Sequence, residues 1–363
     1  MKVLHLLASG GAGGIEVLNR DFSEHSHHEN VFLFLWSGGC IADEMKSKKK
    51  KVVELNASKK AVLFSLKKVL QICKEEQIDV IIVHHAAPLM HIYGMVVKKM
   101  YPETKVITYA HGRAEVMCRT QDKKGLWVRK WVMKTSLQFA DDIVGISQNV
   151  KDSLIEYFGI DKDKIKIIYN GVDTSRFKIN TRQENKVAEI IYVGRLIEQK
   201  GVQNILCALS MVSDKIQYRF RVIGDGAYRE RLEQLTEELG LGEKVEFLGT
   251  RNDVPDFLKE SDVFVHIPDL EEGFGITVIE AMAAGVIPVC AYSGGIPEII
   301  QNDVNGILLE RDDRAKLANT LEDLMVNLSG EKVQNMRNAA VKRAEQFSIE
   351  TFVKQLDLLI AKR

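Results

Sequence analysis

The sequence has no long apolar run and few cysteines. No stretch reaches the roughly 18 apolar residues of a membrane-spanning helix, and the apolar part of MKVLHLLASGG at the N-terminus is too short for a signal peptide. The five cysteines lack the CxxC spacing of a zinc site and stand mostly in apolar segments, as expected for reduced, buried thiols. These absences predict a cytoplasmic protein.

The formal net charge is zero, but the two halves of the chain differ in charge. Residues 1–170 contain 26 Lys and Arg against 19 Asp and Glu, whereas residues 171–363 contain 24 against 31. The basic first half either meets an anionic partner, such as a phosphorylated acceptor or a bilayer surface, or simply presents solvated basic faces. We expect no nucleic-acid partner.

The length of 363 residues exceeds what one core supports, which predicts two domains and a cleft between them. Short β-branched runs alternate with longer segments of helical period, which indicates parallel sheets with helices on both faces. The runs form two series, at 3–8, 31–36, 80–84, 105–110 and 142–147, then at 189–193, 218–223, 245–248, 263–267 and 286–291. The expected fold class is α/β, with two Rossmann-like domains.

A linker is predicted between the two series. Segment 167–186, IIYNGVDTSRFKINTRQENK, contains Asn-Gly and loses apolar periodicity. We therefore expect an N-terminal domain at 1–177 and a C-terminal domain at 178–345. Residues 346–363 read as a helix that packs back on the first domain.

Three glycine-rich turns each follow a predicted strand and run into a helix: SGGAGGIEVLN (9–19), VGRLIEQKGVQNIL (193–206) and EEGFGITVIEAMAAG (271–285). Such a turn exposes backbone N–H groups at the positive end of a helix, where a phosphate or another anion can bind. In the third turn, missing side chains at Gly273 and Gly275 let a ligand approach the amides of Phe274, Gly275 and Ile276.

Two carboxylates flank the third turn. Glu272 precedes the predicted helix and Glu280 lies about one turn inside it, so they are not a close acid/base pair. They fit a ligand with hydroxyls at both ends, such as a nucleotide sugar. Alternatively, they are an acidic first helical turn and a solvent-facing glutamate. Arg195 and Lys200 in the second turn can supply the positive charge that a diphosphate needs, or they are two solvated bases.

These segments, with VIGDGAYRERLE, VEFLGTRNDVPDFLKESDVFVHIPDL, GGIPEII and NGIL, resemble family 4 glycosyltransferases of the GT-B fold. In the first half SGGAGG, TYAHGR, VGISQNVKDSL and IIYNGVDTSRF are similar to the same family. The resemblance implies that the domain at 1–177 binds the acceptor and that the domain at 178–345 binds the nucleotide sugar. It further implies that Glu272 lies near the donor sugar, that Glu280 holds the ribose, and that Arg195 and Lys200 bind the diphosphate. It also implies roles for further donor-site residues, namely Gly13, Gly14, His111 near the transferred sugar, Phe274, Gly275 and Ile276.

The family resemblance implies a reaction as well. It predicts a retaining, metal-independent transfer of a hexose from a nucleotide diphosphate sugar, with UDP as nucleotide, to a glycan or lipid-linked acceptor, as in bacterial surface polysaccharide synthesis. Glu272, His111, Arg195 and Lys200 would serve the reaction, without a cofactor. No DxD triplet follows a predicted strand in the cleft, in keeping with metal independence.

Several basic or histidine-containing segments remain. Segment 121–140, QDKKGLWVRKWVMKTSLQFA, is either a basic helix with two tryptophans on an anionic membrane, at the inner face of the cell membrane, or a core helix with solvated lysines. KSKKKK (46–51) is interpreted as a solvated loop and HSHHE (25–29) as a surface turn. His84 and His85 end a strand near the predicted cleft and are candidates to line the acceptor site.

Other functions stay open at this point. One is a GT-B-shaped nucleotide-sugar epimerase, and another is a dinucleotide-dependent oxidoreductase, although SGGAGGIE lacks the G-x-G-x-x-G spacing. A non-catalytic sugar-binding subunit is the third.

Overall fold

The computed structural model describes residues 1–11, 13–58, 61–84, 88–118, 123–177 and 187–362. The chain divides into two compact units. Unit 1 comprises Met1–Gly171 together with Ile349–Arg363, and unit 2 comprises Val172–Ser348. The sequence analysis placed the corresponding divisions after residues 177 and 345. Each unit contains one parallel sheet whose strands alternate with helices, so the α/β prediction is confirmed.

Unit 1 contains a seven-stranded sheet in the order β3-β2-β1-β4-β5-β6-β7. The strands are β1 (Lys2–Ser9), β2 (Glu29–Ser37), β3 (Lys51–Glu54), β4 (Val80–His84), β5 (Lys105–Ala110), β6 (Asp142–Gly145) and β7 (Ile165–Ile167). The helices are α1 (Gly14–His25), α2 (Cys40–Ser47), α3 (Val62–Glu75), α4 (Pro88–Met100), α5 (Ala114–Met117), α6 (Lys123–Phe139) and α7 (Gln148–Phe158). Strand β4 is buried along its whole length, as its apolar sequence VIIVH predicts for a central parallel strand.

Unit 2 contains a six-stranded sheet in the order β10-β9-β8-β11-β12-β13. The strands are β8 (Ala188–Val193), β9 (Tyr218–Ile223), β10 (Val245–Gly249), β11 (Val263–His266), β12 (Ile287–Ala291) and β13 (Ile307–Leu309). The helices are α8 (Val202–Leu209), α9 (Arg229–Glu238), α10 (Val254–Glu260), α11 (Ile276–Ala283), α12 (Arg314–Val326) and α13 (Glu331–Ala344). Apolar side chains of β8, β9, β11 and β12 form one core with those of α8 and α12.

The last helix, α14 (Ile349–Ala361), belongs to unit 1 although it follows unit 2 in the chain. The ring of Phe352 meets the ring of Phe22 in α1 edge to face, with centroids 5.9 Å apart. The Ser26 hydroxyl donates a hydrogen bond of 2.8 Å to the Asp357 carboxylate. An apolar contact and a polar contact therefore join α14 to the end of α1.

Three strands were not predicted from the sequence, namely β3, β7 and β13. Each of these strands has only three or four residues. Strands β3 and β7 form the edges of the first sheet, where a strand is half-exposed and lacks a continuous apolar run. The interpretation of residues 46–51 as a loop was therefore wrong at its ends, because Lys46 lies in α2 and Lys51 in β3. The ammonium groups of Lys46 and Lys48 pair with carboxylates of Glu54 and Glu24 at 2.6 Å.

The cysteines differ in exposure. Cys73, Cys118 and Cys290 are buried, as expected, whereas Cys40 is exposed and Cys207 is half-buried. Burial raises the pKa of the Cys73 thiol to about 12, so this side chain remains a neutral thiol. Among the described residues, no helix combines the length and apolar character needed to span a bilayer.

Candidate functional site

In unit 2 the strand order reverses between β8 and β11. The chain runs from β8 outward to β9 and β10, returns to β11, and then runs the opposite way to β12 and β13. In open parallel sheets, ligands bind outside the carboxyl ends of the strands at such a switch point. The loops that follow β8 and β11 contain Lys200 and Glu272, so the topology brings two sequence-predicted site residues to this point.

Glu272 is the centre of a short hydrogen-bonded cluster. The Lys200 ammonium contacts its Oε2 atom at 2.6 Å, and His266 Nε2, from the last residue of β11, lies 3.3 Å from the same oxygen. Their side chains are 21% exposed for Lys200, 23% for Glu272 and 4% for His266. The sequence analysis assigned Lys200 and Glu272 to different parts of a ligand and did not select His266, whereas the structure brings all three together.

The carboxylate of Glu272 is held in its ionised form. Burial by itself would raise the pKa of Glu272, but the hydrogen bond from His266 and the positive charge of Lys200 outweigh burial and hold that pKa well below its usual range. An ionised carboxylate only accepts hydrogen bonds. The group therefore suits binding of hydroxyls and does not suit donation of a proton.

Glycine backbone fixes the position of both charged side chains. Gly294 has φ +55°, and a Cβ atom there would lie 1.9 Å from the carbonyl oxygen of Glu272. Gly201, which follows Lys200, has φ +72°, and its Cβ atom would lie 1.7 Å from the carbonyl oxygen of Ile267. Both close approaches are possible only because the Cβ is missing.

The Asp269 carboxylate, which is not part of the Glu272 cluster, connects the loop after β11 to α8 and the residues just before it. Asp269 accepts hydrogen bonds from the side-chain amides of Asn204 at 2.8 Å and Gln203 at 2.9 Å, and its own amide donates to the Gln199 carbonyl at 3.0 Å. The sequence analysis did not select Asp269, because its role depends on which loops the sheet order brings together.

Helix α11 begins where the third glycine turn was predicted to lead into a helix. Gly275 precedes it with φ +116°, and Ile276 is its first residue. The Phe274 ring is buried against Phe347, with centroids 5.7 Å apart, so the ring itself is not presented to a ligand. Glu280 is half-buried, one turn inside α11. The first amides of an α-helix have no partner within the helix, which keeps this turn suited to an anion.

Arg195 differs from Lys200 in its surroundings. It is exposed in the loop after β8, and in the described part of the chain its guanidinium has no carboxylate at ion-pair distance. Its carbonyl oxygen accepts a hydrogen bond of 3.2 Å from the Tyr192 hydroxyl. The positive charge of Arg195 is thus available to a ligand, while that of Lys200 is already partly balanced.

In unit 1, Gly13 and Gly14 lie at the start of α1, directly after the turn that follows β1. The carboxylate of Glu16 lies over this turn, so that a Cβ atom added to Gly13 would be 2.4 Å from Glu16 Oε2. Burial raises the pKa of Glu16, partly opposed by hydrogen bonds to its carboxylate from its own backbone and from Ser9. The turn is therefore partly occupied by this side chain.

His111 directly follows β5 and joins a row of histidines. Its Nε2 atom lies 3.1 Å from Nδ1 of His84, the last residue of β4. His84 Nε2 in turn lies 3.1 Å from Nδ1 of His5 in β1. The sequence analysis selected His84 and His111 but not His5, and His85 lies outside the described residues. Burial lowers the pKa of His111 to about 3, which keeps its ring neutral.

The segment 121–140 is described from Lys123 onward and forms α6. Trp127 and Trp131 are 69% and 58% exposed, and Val128 beside them is 51% exposed. The two tryptophans are four residues apart and so share one face of the helix. They are therefore not core residues of unit 1, which removes the core-helix interpretation for these side chains.

The histidines of segment 25–29 contact residues of α1 and α14. His25 Nδ1 lies 2.9 Å from the Asp21 carbonyl oxygen, and His28 Nε2 lies 3.9 Å from the Asp357 carboxylate. Within the described ranges, no three His, Cys, Asp or Glu side chains are grouped as a metal ion would require.

Two family profiles together match residues 12–343. The profile "Glycosyl transferases group 1" matches residues 173–343, and the profile "Glycosyltransferase Family 4" matches residues 12–176. Both describe glycosyltransferases. The epimerase and oxidoreductase alternatives thus find no support in either half of the chain.

Similar proteins agree with the family profiles. An uncharacterized glycosyltransferase of Methanocaldococcus jannaschii, MJ1607, is 36% identical over 46% of each chain. The UDP-Gal:alpha-D-GlcNAc-diphosphoundecaprenol alpha-1,3-galactosyltransferase of Escherichia coli is 27% identical over 81% of this chain and 76% of that protein. Among solved structures, Anabaena Alr3699/HepE in complex with UDP and glucose has a TM-score of 0.86 at 22% identity, over the whole of both chains.

The structural likeness supports the fold, and the family profiles cover both units. The chain is a family 4 glycosyltransferase of the GT-B fold.

Proposed function

We propose that this protein transfers a hexose from a nucleoside diphosphate sugar, with UDP as the nucleotide, to a hydroxyl of a glycan or lipid-linked acceptor. The anomeric configuration of the sugar is retained and no divalent metal takes part. The single observation that carries the proposal is the ionised Glu272 carboxylate, held by Lys200 and His266 at the switch point of the unit 2 sheet.

Glu272 is assigned to the hydroxyls of the donor sugar. A carboxylate that stays ionised accepts hydrogen bonds from two adjacent hydroxyls, which fixes the orientation of a sugar ring. The same reasoning assigns Glu280, inside α11, to the hydroxyls of the ribose. Solved structures of Anabaena HepE with UDP and glucose and with UDP-glucose support the choice of UDP.

The diphosphate is assigned to Lys200, Arg195 and the backbone amides of Phe274, Gly275 and Ile276 at the start of α11. Arg195 offers an exposed guanidinium fork, and the helix start offers N–H groups at the positive end of its dipole. Lys200 would contact both the Glu272 carboxylate and a phosphate oxygen. These groups stabilise the negative charge that develops on the leaving diphosphate, without a metal ion.

The reaction breaks the bond between C1 of the sugar and the phosphate oxygen and forms the bond between C1 and the acceptor oxygen. The acceptor attacks from the face that the diphosphate leaves, and its proton passes to the departing phosphate oxygen. The products are a nucleoside diphosphate and a glycoside of unchanged configuration. Water must be excluded while the sugar is cationic, because water would otherwise hydrolyse the donor.

Three residues of unit 1 complete the proposed donor contacts. Gly13 and Gly14 would present the backbone at the start of α1 to the donor once the Glu16 side chain moves away from that turn. His111 would approach the transferred sugar with a neutral ring, since burial lowers its pKa to about 3.

For the acceptor, we propose a lipid-linked glycan reached at an anionic membrane surface. The E. coli relative is named for a diphosphoundecaprenol-linked acceptor. The exposed Trp127, Val128 and Trp131 of α6 form an apolar face beside basic residues Lys130 and Lys134. Such a combination favours the interface of an anionic bilayer. Peripheral attachment would place the protein at the inner face of the cell membrane.

Ligand-dependent thermal stabilisation tests the donor assignment. UDP, GDP, ADP and NAD are added separately to the full-length protein and the denaturation midpoint is recorded. A ligand at 100 times its Kd stabilises the folded state by about 2.7 kcal/mol. We expect UDP to raise the midpoint most. A shift with NAD and none with any nucleoside diphosphate would overturn the proposal.

Transfer is then measured with UDP-sugars in the absence of acceptor, where slow hydrolysis reports donor use, and NMR identifies the anomer formed first. Glu272→Gln and Lys200→Ala should each abolish turnover while the protein remains folded. Turnover close to wild type in either variant would remove that residue from its assigned role.

A further inference from the structure

Three histidine rings form a continuous chain across the unit 1 sheet. His5, His84 and His111 come from the neighbouring strands β1 and β4 and from the residue after β5, and their ring nitrogens lie 3.1 Å apart at both steps. Neighbouring rings are nearly parallel, with interplanar angles of 17° and 22°. His5 and His84 are buried, so the N–H group of each ring needs a hydrogen-bond acceptor and the lone pair of each ring needs a donor.

An asparagine fixes the direction of the hydrogen bonds at one end. Asn30 Oδ1 lies 3.0 Å from His5 Nε2, and Asn30 Nδ2 donates to the His28 carbonyl oxygen at 3.0 Å. Reversing the amide would put its oxygen against that carbonyl oxygen, and two acceptors at this distance repel each other. The carbonyl therefore fixes Asn30 as a hydrogen-bond acceptor towards His5, which must carry its proton on Nε2.

A second asparagine points to the same direction in the middle of the chain. Asn19 Nδ2 donates to the Ile15 carbonyl oxygen at 2.8 Å and lies 3.4 Å from His84 Nδ1. The Ile15 carbonyl excludes the reversed amide by the same repulsion. Asn19 thus presents an N–H group to His84 Nδ1, which must carry a lone pair. The proton of His84 is then on Nε2, where it is donated to His5 Nδ1.

The position of the proton on His111 follows from the tautomer of His84. Because His84 Nδ1 carries a lone pair, His111 must donate to it from Nε2, and His111 Nδ1 carries the remaining lone pair. That Nδ1 atom is buried, and within the described part of the chain it has no hydrogen-bond partner. Burial lowers the pKa of His5 to about 4, despite the opposing effects of Asn30, which accepts a hydrogen bond from His5, and of Asn19, and burial lowers the pKa of His111 to about 3. Neutral rings, which such a chain requires, are therefore the stable form.

We propose that Asn30 and Asn19 are positioning residues which, through His5 and His84, hold His111 as the Nε2–H tautomer, so that Nδ1 accepts a hydrogen bond from a substrate hydroxyl. The contact between His111 Nδ1 and a substrate hydroxyl rests on the proposed glycosyl transfer. A buried acceptor left without a donor is costly, and a sugar hydroxyl supplies the missing donor. His111 is then neither a proton donor nor a cation for the diphosphate, which separates its role from that of Lys200.

Tautomers are read directly by long-range ¹H–¹⁵N NMR on full-length protein with ¹⁵N-labelled histidine, without ligand, at neutral pH. Single His→Gln variants assign the signals. We expect all three rings to carry the proton on Nε2. A proton on Nδ1 of any of the three rings would overturn the proposal. The tautomers themselves are measured in wild-type protein, and the variants serve only to assign each signal to its ring.

The asparagines are tested with Asn30→Leu combined with Asn19→Leu, which remove both amides at similar volume, and with Asn30→Asp, which keeps an acceptor for His5. In the double variant we expect a mixture of both tautomers at His111 and a loss of about fivefold in kcat/KM for UDP-glucose, the effect of one hydrogen bond. Asn30→Asp should keep the wild-type tautomers. Unchanged tautomers in a folded double variant would show that the asparagines do not set them.

Stabilisation by UDP serves as the independent measure of the proposed function. Equal midpoint shifts in wild type and double variant, together with altered tautomers, support the positioning role. If UDP fails to stabilise the wild type while the three tautomers are as expected, the donor assignment fails and the account of the histidine chain stands.

Discussion

The ion pair between Lys200 and Glu272 allows a quantitative test of the site. Replacing Lys200 by Met and Glu272 by Gln, singly and together, removes each charge at similar volume. The double-mutant cycle then isolates the energy of their interaction from other effects of each change. Because His266 also contacts Glu272, the carboxylate keeps one partner when Lys200 is replaced.

The expected magnitude follows from exposure. The two side chains are 21% and 23% exposed, between the surface pairs that contribute up to about 1 kcal/mol and the buried pairs whose disruption costs about 3 to 5 kcal/mol. The 2.6 Å distance is that of a charge-assisted hydrogen bond. We therefore expect a coupling energy of about 2 kcal/mol. For a unit of this size that energy corresponds to about 4 to 8 °C in the melting temperature.

The assay is scanning calorimetry of the full-length variants, with the transition of unit 2 followed separately where two transitions are resolved. Arg231 and Glu238 provide a matched control in the same unit, because their ion pair is almost as short, 2.7 Å, but its side chains are 47% and 56% exposed. Arg231→Met and Glu238→Gln should show a clearly smaller coupling. Equal coupling in the two cycles, or a Lys200–Glu272 coupling below about 0.5 kcal/mol, would refute the claim that partial burial strengthens the site pair.

The pH dependence of Glu272→Gln checks the same pair independently. The pKa of Glu272 is lowered in the folded state, so its contribution to stability is fully present above the unfolded pKa of about 4.3 and is lost as the pH falls through the lower, folded value. The stability difference between wild type and Glu272→Gln should thus be constant from pH 7 to pH 5 and decrease in more acidic solution. A difference that grows as the pH falls below 4 would show that the carboxylate is not held in its ionised form.

Two further predictions concern the loop that follows β12 and the surface of α6. Gly294→Ala should destabilise the protein by more than about 1 kcal/mol and abolish transfer, because its Cβ would lie 1.9 Å from the carbonyl oxygen of Glu272. Gly240→Ala is the control: Gly240 also has a positive φ, but no atom lies within 4 Å of its Cβ position, so transfer should stay intact. Trp127→Ala combined with Trp131→Ala should reduce sedimentation with anionic vesicles, whereas Leu358→Ala, which removes an apolar side chain that is 64% exposed elsewhere in unit 1, should not. Unchanged sedimentation of the tryptophan variant would contradict membrane attachment through α6.

The central strands could be predicted from the sequence, and the reason is burial. A strand covered on both faces needs apolar residues at every position, so VIIVH in β4 and VFVH in β11 stand out as short continuous runs. The missed strands β3 (KVVE) and β7 (IKI) lie at sheet edges, and β3 follows a run of lysines. No local pattern distinguishes three or four half-exposed residues from a loop.

The residues of the candidate site could be predicted from the sequence better than the contacts between them. Glu272 and Lys200 lie beside glycines in loops that follow apolar strands, which is a local signal, but they are 72 residues apart and their ion pair depends on β8 and β11 being neighbours. His266 carried the same local signal as His111, a histidine at the end of an apolar strand, and could have been selected on that ground. His5 lies inside a strand, where only the neighbours of that strand reveal its place in the histidine chain.

The contacts of Glu272 bear on how the sugar is transferred. A glutamate that attacked C1 would need a free and nucleophilic carboxylate oxygen. Lys200 and His266 both contact Oε2, and together they hold the pKa of the carboxylate well below its usual range, which marks a weak base. A weakly basic carboxylate is a poor nucleophile but remains a good acceptor for neutral hydroxyls. We therefore propose that the acceptor attacks on the face that the diphosphate leaves, with Glu272 orienting the sugar. If this is correct, no covalent glycosyl-Glu272 adduct should be detected by mass spectrometry when UDP-glucose is quenched during turnover.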